Sequence, residues 1–154
     1  MDATDAKILT LLQKDARITT EALGEAVGLS ATACQRRIKN LRRTGVIEAE
    51  IAVVSPKAVG RPLMMLVSVT LERERADSID RFRAALLRAP EIMQVYYVTG
   101  DSDFVLLVTA RDMDGYVAFT RRFFSQNFDI KGFKTAVVME RVKAGFFVPV
   151  AADV

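Results

Sequence analysis

The apolar residues of this 154-residue chain change their spacing at Leu63. Up to Gly45 they recur three and four apart, the period of one helix face; from Leu63 they alternate, the period of a strand. A first part with helical spacing throughout its core and a second that opens on a strand are expected to fold as two differently built parts. Between them, Ser55-Pro56-Lys57-Ala58-Val59-Gly60-Arg61-Pro62 holds two prolines and a glycine and reads as a connection. Ile47 to Val54, just before it, reads as a strand. The expected division is residues 1–47, a strand and linker over 48–62, and a second domain over 63–154.

The first part predicts three helices. The first runs from Ala3 to Lys14, capped by Asp2 or Thr4, with Ile8, Leu9 and Leu12 inward. A second starts after Thr19 or Thr20, buries Leu23, Ala26 and Val27, and ends at Gly28, where a left-handed residue suits a C-terminus. Ser30 caps the third, whose stripe is Ala31, Cys34, Ile38 and Leu41. At about 100° per residue, Arg36 falls opposite that stripe. Thr32, Ala33, Lys39, Asn40 and Arg43 share its outer half, with Arg37 and Arg42 on the flanks. Three helices with so short a turn between the last two form a helix-turn-helix unit, winged-helix-like in kind.

The second part predicts a strand from Leu63 and a helix over Asp77–Ala89 that turns Ile79, Phe82 and Leu86 inward and stops at Pro90. Strands over Ile92–Thr99 and Phe104–Arg111 are joined by Gly100-Asp101-Ser102-Asp103. A helix over Met113–Asn127 and a strand over Phe133–Lys143 follow. The order β-α-β-β-α-β is ferredoxin-like, and the whole is an α+β chain. The Met113–Asn127 helix has two apolar sides, Tyr116, Phe119 and Phe123 on one and Val117, Phe124 and Phe128 on the other. One sheet-facing stripe needs only the first, so the second points to a subunit interface, the alternative being a wide core stripe.

Charge is informative only locally. Residues 1–60 hold nine basic and seven acidic residues, the rest thirteen and twelve, and the net charge is +3. The third helix, however, carries Arg36, Arg37, Lys39, Arg42 and Arg43 with no acid among them. The major groove of B-DNA admits one helix and displays distinguishable base edges, which the N-terminal part of a recognition helix meets. Thr32, Ala33, Gln35 and Arg36 are therefore expected near bases, with Arg36 suited to guanine O6 and N7. Arg37, Lys39, Arg42 and Arg43 are expected at phosphates, together with the Ser30 hydroxyl and the first free N–H groups of the helix. The bland alternative is a basic, solvated helix face. Because one such unit reads few base pairs, a two-fold dimer on duplex DNA is expected.

Several chemistries lack their residues. There is no histidine and a single cysteine, Cys34, which sits on the apolar stripe. Catalytic triads, Cys-His nucleophiles and four-ligand zinc sites are thereby excluded, and neither catalysis nor a metal or cofactor is expected. The lone cysteine, the lack of a long apolar run and an N-terminus unlike a signal peptide suggest a cytoplasmic, nucleoid-associated protein with no membrane partner. The Gly100–Asp103 turn offers N–H groups for a ligand carboxylate, and Asp101 or Asp103 a partner for an ammonium group. The same residues also make plain turns.

Five segments together resemble the Lrp/AsnC family of transcription factors, the leucine-responsive regulatory protein and asparagine-regulator group. They are DAKILTLLQKDARIT, VGLSATACQRRIKNLRRTGVIEAE, VSPKAVG, VTGDSDFVLLV and VVMERVK, in that order and at the family's spacing across about residues 2–145. Two departures stand out: Ala31 and Ala33 replace prolines common at the start of the recognition helix, and Phe133 sits where the family often has threonine. The resemblance implies dimers assembled into larger rings, often octamers, and a small effector, typically an amino acid. That effector would lie between dimers, touching Thr99, Gly100, Asp101 and Asp103 of one subunit and the last strand of another at Phe133, Thr135, Val137 and Met139. The alternative within the same fold is an architectural protein that wraps DNA and answers to no amino acid.

Overall fold

The computed structural model describes residues 1–72, 76–125 and 129–151. Contacts divide the chain into two compact units, Met1–Ala52 with the chain from Lys143 onward, and Val53–Val142.

The first unit is built on α1 (Ala3–Leu12), α2 (Thr20–Val27) and α3 (Ala31–Arg43). Asp2 caps α1. Its carboxylate accepts the Asp5 N–H at 2.8 Å while the Asp5 carboxylate accepts the Asp2 N–H at 3.3 Å, so two otherwise orphaned donors are satisfied reciprocally. Thr19 and Ser30 cap α2 and α3 through the N–H groups of Ala22 and Ala33. Gly28 ends α2 with φ 74°. Ile8, Leu9, Leu23, Cys34, Ile38 and Leu41 form the core. Ala26, expected inside, is exposed, and the buried residue on α2 is Gly24. A Cβ at Gly24 would stand 2.5 Å from the Leu29 carbonyl oxygen, so the turn packs directly on the helix backbone there.

Further expectations differ from the structure. No strand forms over Ile47–Val54: a strand persists only where its N–H and C=O groups meet a neighbour's, and none of the described strands pairs with it. Ile51, Val53 and Val54 lie exposed. The last residues, placed by sequence in the second domain, pack with the first unit instead. The Gln13 side-chain amide donates to the Val148 carbonyl at 3.0 Å, and its oxygen accepts the Val148 N–H at 2.7 Å. Val150 packs on the three-helix core.

The second unit contains β1 (Leu63–Leu71), α4 (Ala76–Arg88), β2 (Ile92–Tyr97), β3 (Phe104–Ala110), α5 (Met113–Phe124) and β4 (Ile130–Val137). The sheet is antiparallel with strand order β2-β3-β1-β4, which confirms the ferredoxin-like reading. Met65, Val67, Val69 and Leu71 alternate inward, as expected, against Phe104, Leu106 and Val108 of β3 and against Phe82, Leu86, Tyr116, Phe119 and Phe123 of the helices. The last strand begins and ends earlier than Phe133–Lys143. The expected end of the Met113–Asn127 helix and Phe128 lie outside the described residues. Leu66 and Tyr96 point to the sheet's other face, about half exposed.

Candidate nucleic-acid interface and effector region

α3 is amphipathic in a way that ties its packing to its chemistry. Cys34, Ile38 and Leu41 face the core, and Thr32, Gln35, Arg36, Lys39 and Arg43 are exposed opposite. Ala33 is half-buried. The Ser30 oxygen accepts the Ala33 N–H at 3.2 Å, leaving its own O–H to donate. A helix N-terminus of this kind suits an anion.

The five cations of α3 fall into two groups. The Arg37 guanidinium reaches Asp2 at 2.7 Å and Asp5 at 2.8 Å, and Arg42 meets both oxygens of Glu50 at 2.8 Å. Arg43 donates to the Asn40 side chain. Arg36 and Lys39 are in no ion pair among the described residues. The Asp5 N–H, and after it Arg37, hold the Asp2 carboxyl below its ordinary range. The hydrogen bonds to Asp5 and Asp2 in turn raise the affinity of Arg37 for its proton. The sequence reading set Arg36 apart for a base and expected Arg37, Lys39, Arg42 and Arg43 alike at phosphates. Neither ion pair was legible, because Asp2 and Asp5 are far from Arg37 along the chain.

In the second unit, Thr99, Gly100 and Asp101 are exposed at the turn between β2 and β3, and Gly100 has φ 119°. Asp103 is committed to the fold. Its carboxylate accepts the Leu71 N–H at 2.7 Å, its N–H donates to the Val69 carbonyl, and its carbonyl accepts the Val98 N–H. Asp101 makes no ion pair among the described residues. On β4, Phe133 pairs across from Val69, Thr135 from Val67 and Val137 from Met65. Phe133 stacks on Phe124 with ring centroids 4.3 Å apart, and the Thr135 and Tyr116 hydroxyls share a hydrogen bond. Burial pushes the Tyr116 phenol up, an effect the Thr135 contact partly offsets.

Met139 lies beyond β4 and is almost fully exposed. It borders an open groove of about 190 Å³ that Lys57, Met64, Glu140 and Arg141 also line, a feature with no sequence signature. Within one chain the expected effector set converges only in part: Phe133 lies level with the hairpin, across from the Val69 that holds Asp103, and Val137 and Met139 do not. The hairpin is anchored at the Val69–Leu71 end of β1, whereas Val137 stands at the Met65 end, four residues or about 13 Å along the strand.

A helix-turn-helix unit joined to a ferredoxin-like domain with an exposed hairpin defines a DNA-binding transcription regulator with a ligand-binding domain. Residues 1–42 match the AsnC-type helix-turn-helix domain and residues 64–146 the Lrp/AsnC ligand binding domain. The chain is 60% identical over 150 residues to an uncharacterized HTH-type transcriptional regulator, y4tD, of Sinorhizobium fredii, covering 97% of this chain and 89% of that one. The solved AsnC family transcriptional regulator from Agrobacterium tumefaciens shares 32% identity at a TM-score of 0.91, over 97% of each chain. The transcriptional regulator NMB0573 of Neisseria meningitidis, solved as its L-Met complex, shares 29% identity at a TM-score of 0.90, over 97% and 96%. The chain belongs to the Lrp/AsnC family, whose members among these relatives are transcriptional regulators rather than enzymes.

Proposed function

We propose that the protein reads duplex DNA sequence through α3 as a two-fold dimer, assembles into a larger ring, and changes that assembly when an amino acid binds. The observation that carries the DNA reading is the exposed face Thr32-Gln35-Arg36-Lys39 on a helix capped by Ser30 and seated on a buried stripe. Arg36 reads a base; Lys39, Arg43 and the Ser30 end of the helix hold phosphates. The apolar outer face of the sheet around Leu66 and Tyr96 supplies a seat for a second subunit.

The effector reading rests on the Asp101 carboxylate beside the Gly100 turn, which is in no ion pair among the described residues, and on the distance along the sheet from that turn to Val137 and Met139. A site shared between subunits requires such a separation. The L-Met complex of the Neisseria relative supports an amino acid as the class. One feature favours the architectural alternative: Phe133 already stacks on Phe124 and narrows the strand's contribution to a ligand site.

Selection from a randomised duplex pool tests the first part. Arg36→Ala should weaken the recovered duplex by ~1–3 kcal/mol and random duplex by less; equal losses would reduce Arg36 to a phosphate contact. Light scattering after size exclusion, with each of the twenty amino acids in turn, tests the second. A mass shift with one of them is expected. An unchanged ring with all twenty would favour DNA wrapping without an amino-acid effector.

A further inference from the structure

We infer that Arg37 is a positioning residue that sets the rotation of α3 about its own axis, and so the aim of Arg36, rather than a contact to phosphate. The inference rests on the DNA-binding reading above. Four polar contacts close on one another at the start of α1. Asp2 gives one oxygen to the Asp5 N–H and the other to Arg37; Asp5 gives one to the Asp2 N–H and the other to Arg37. Both carboxylates are thereby committed, and both are fixed to the backbone of α1 by its capping box. Arg37 ties that fixed pair to the middle of α3. The Asp5 side chain is only 16% exposed and Arg37 31%, so the contact is partly shielded from water, where a charged hydrogen bond holds better than at an open surface. To reach a phosphate, Arg37 would exchange two carboxylates for one new anion, and leave those carboxylates facing DNA.

Arg36 is the next residue back, about 100° round the helix. The core contacts of Cys34, Ile38 and Leu41 hold α3 on one side; Arg37 supplies an anchor on the flank. A turn of α3 by ~20° would move the outer end of a side chain by ~2 Å, given a helix radius with side chains of ~5–6 Å. Paired hydrogen bonds to a base edge tolerate far less than that. The Arg42–Glu50 pair is more exposed at both ends than Arg37–Asp5 and engages a single carboxylate.

The test uses the full-length protein and a duplex that the wild type recovers from a randomised pool, beside a mixed-sequence duplex of equal length. For Arg37→Ala the expected result is about tenfold weaker binding to the recovered duplex, a smaller loss on mixed sequence, and an unchanged slope of log affinity against log salt. Lys39→Ala, by comparison, should lower that slope by about one for each bound subunit. Asp5→Asn decides the sign: positioning predicts about fivefold weaker binding to the recovered duplex, whereas a carboxylate that merely competes with DNA for Arg37 predicts tighter binding. Arg37→Lys, which keeps the charge and can hold one carboxylate, should restore part of the discrimination. Should Arg37→Ala fail to fold by circular dichroism, Asp5→Asn and Arg37→Lys give the answer alone. A reduced salt slope in Arg37→Ala, or tighter binding in Asp5→Asn, would overturn the inference. Binding of no duplex at all would overturn the DNA reading and this inference with it.

Discussion

α3 and β4 are the two elements by which this chain is proposed to meet other molecules, and they are held in opposite ways. α3 has a buried stripe beneath it, a capping serine at its start and charged contacts on both flanks. β4 is an edge strand. It hydrogen-bonds β1 on one side only, and every residue from Lys131 to Val137 is exposed. Its fixed points are the Phe133–Phe124 stack and the Thr135–Tyr116 hydrogen bond. A reader of DNA must present its side chains before the partner arrives, so the chain itself fixes them. An edge strand leaves a row of backbone groups open to a partner, so what β4 presents is not completed by the chain itself.

The contrast can be broken by measuring what each element contributes. The largest effect is expected at the base of α3: Leu41→Ala should destabilise the first unit by ~2–5 kcal/mol, as for other buried leucines, read from helix circular dichroism in urea. Phe133→Ala on β4 should cost only ~1–2 kcal/mol, since it removes one half-exposed aromatic stack. All three tyrosines, at 96, 97 and 116, belong to the second unit, so tyrosine absorbance follows that unit alone. Were Phe133→Ala as costly as Leu41→Ala, β4 would be as firmly held as α3 and the contrast would fail.

Acid should produce the smallest effect. Asp2 is held below its ordinary value of 3.8, mainly by the Asp5 N–H and then by Arg37. Asp112, the cap of α5, is held down by the Gly115 N–H and then by Arg111. A carboxyl depressed in the folded state stabilises fully above its unfolded value, and that contribution is lost as pH falls through the folded one. Neither cap should therefore weaken until pH drops below 3.8. Proton-resolved titration of the two side chains checks this; protonation of Asp2 already near pH 5 would mean that its contacts do not favour the charged form.

What was legible in the sequence was local. Helix starts at Asp2 or Thr4, at Thr19 or Thr20 and at Ser30, the left-handed Gly28 and the inward alternation of Met65 to Leu71 each depend on neighbours a few residues away. What was missed depends on distant partners. Ile47–Val54 has the composition of a strand but no strand beside it. Asp103 has the composition of a ligand contact, yet one of its oxygens serves Leu71. The four cations expected at phosphates look equivalent until the start of α1 folds against Arg37. Gly24 carries a helix penalty whose reason is the carbonyl of Leu29 passing over it.

The return of the chain at Gln13 and Val148 bears on how such regulators can be recombined. The reading unit is not a contiguous stretch of gene: its last strip of backbone is encoded after the effector domain. A chimera made by a single crossover near residue 52 would pair the helices of one parent with the closing strip of the other. A faithful exchange of DNA specificity therefore calls for two crossovers, the second near residue 143, or for grafting the exposed face of α3 alone.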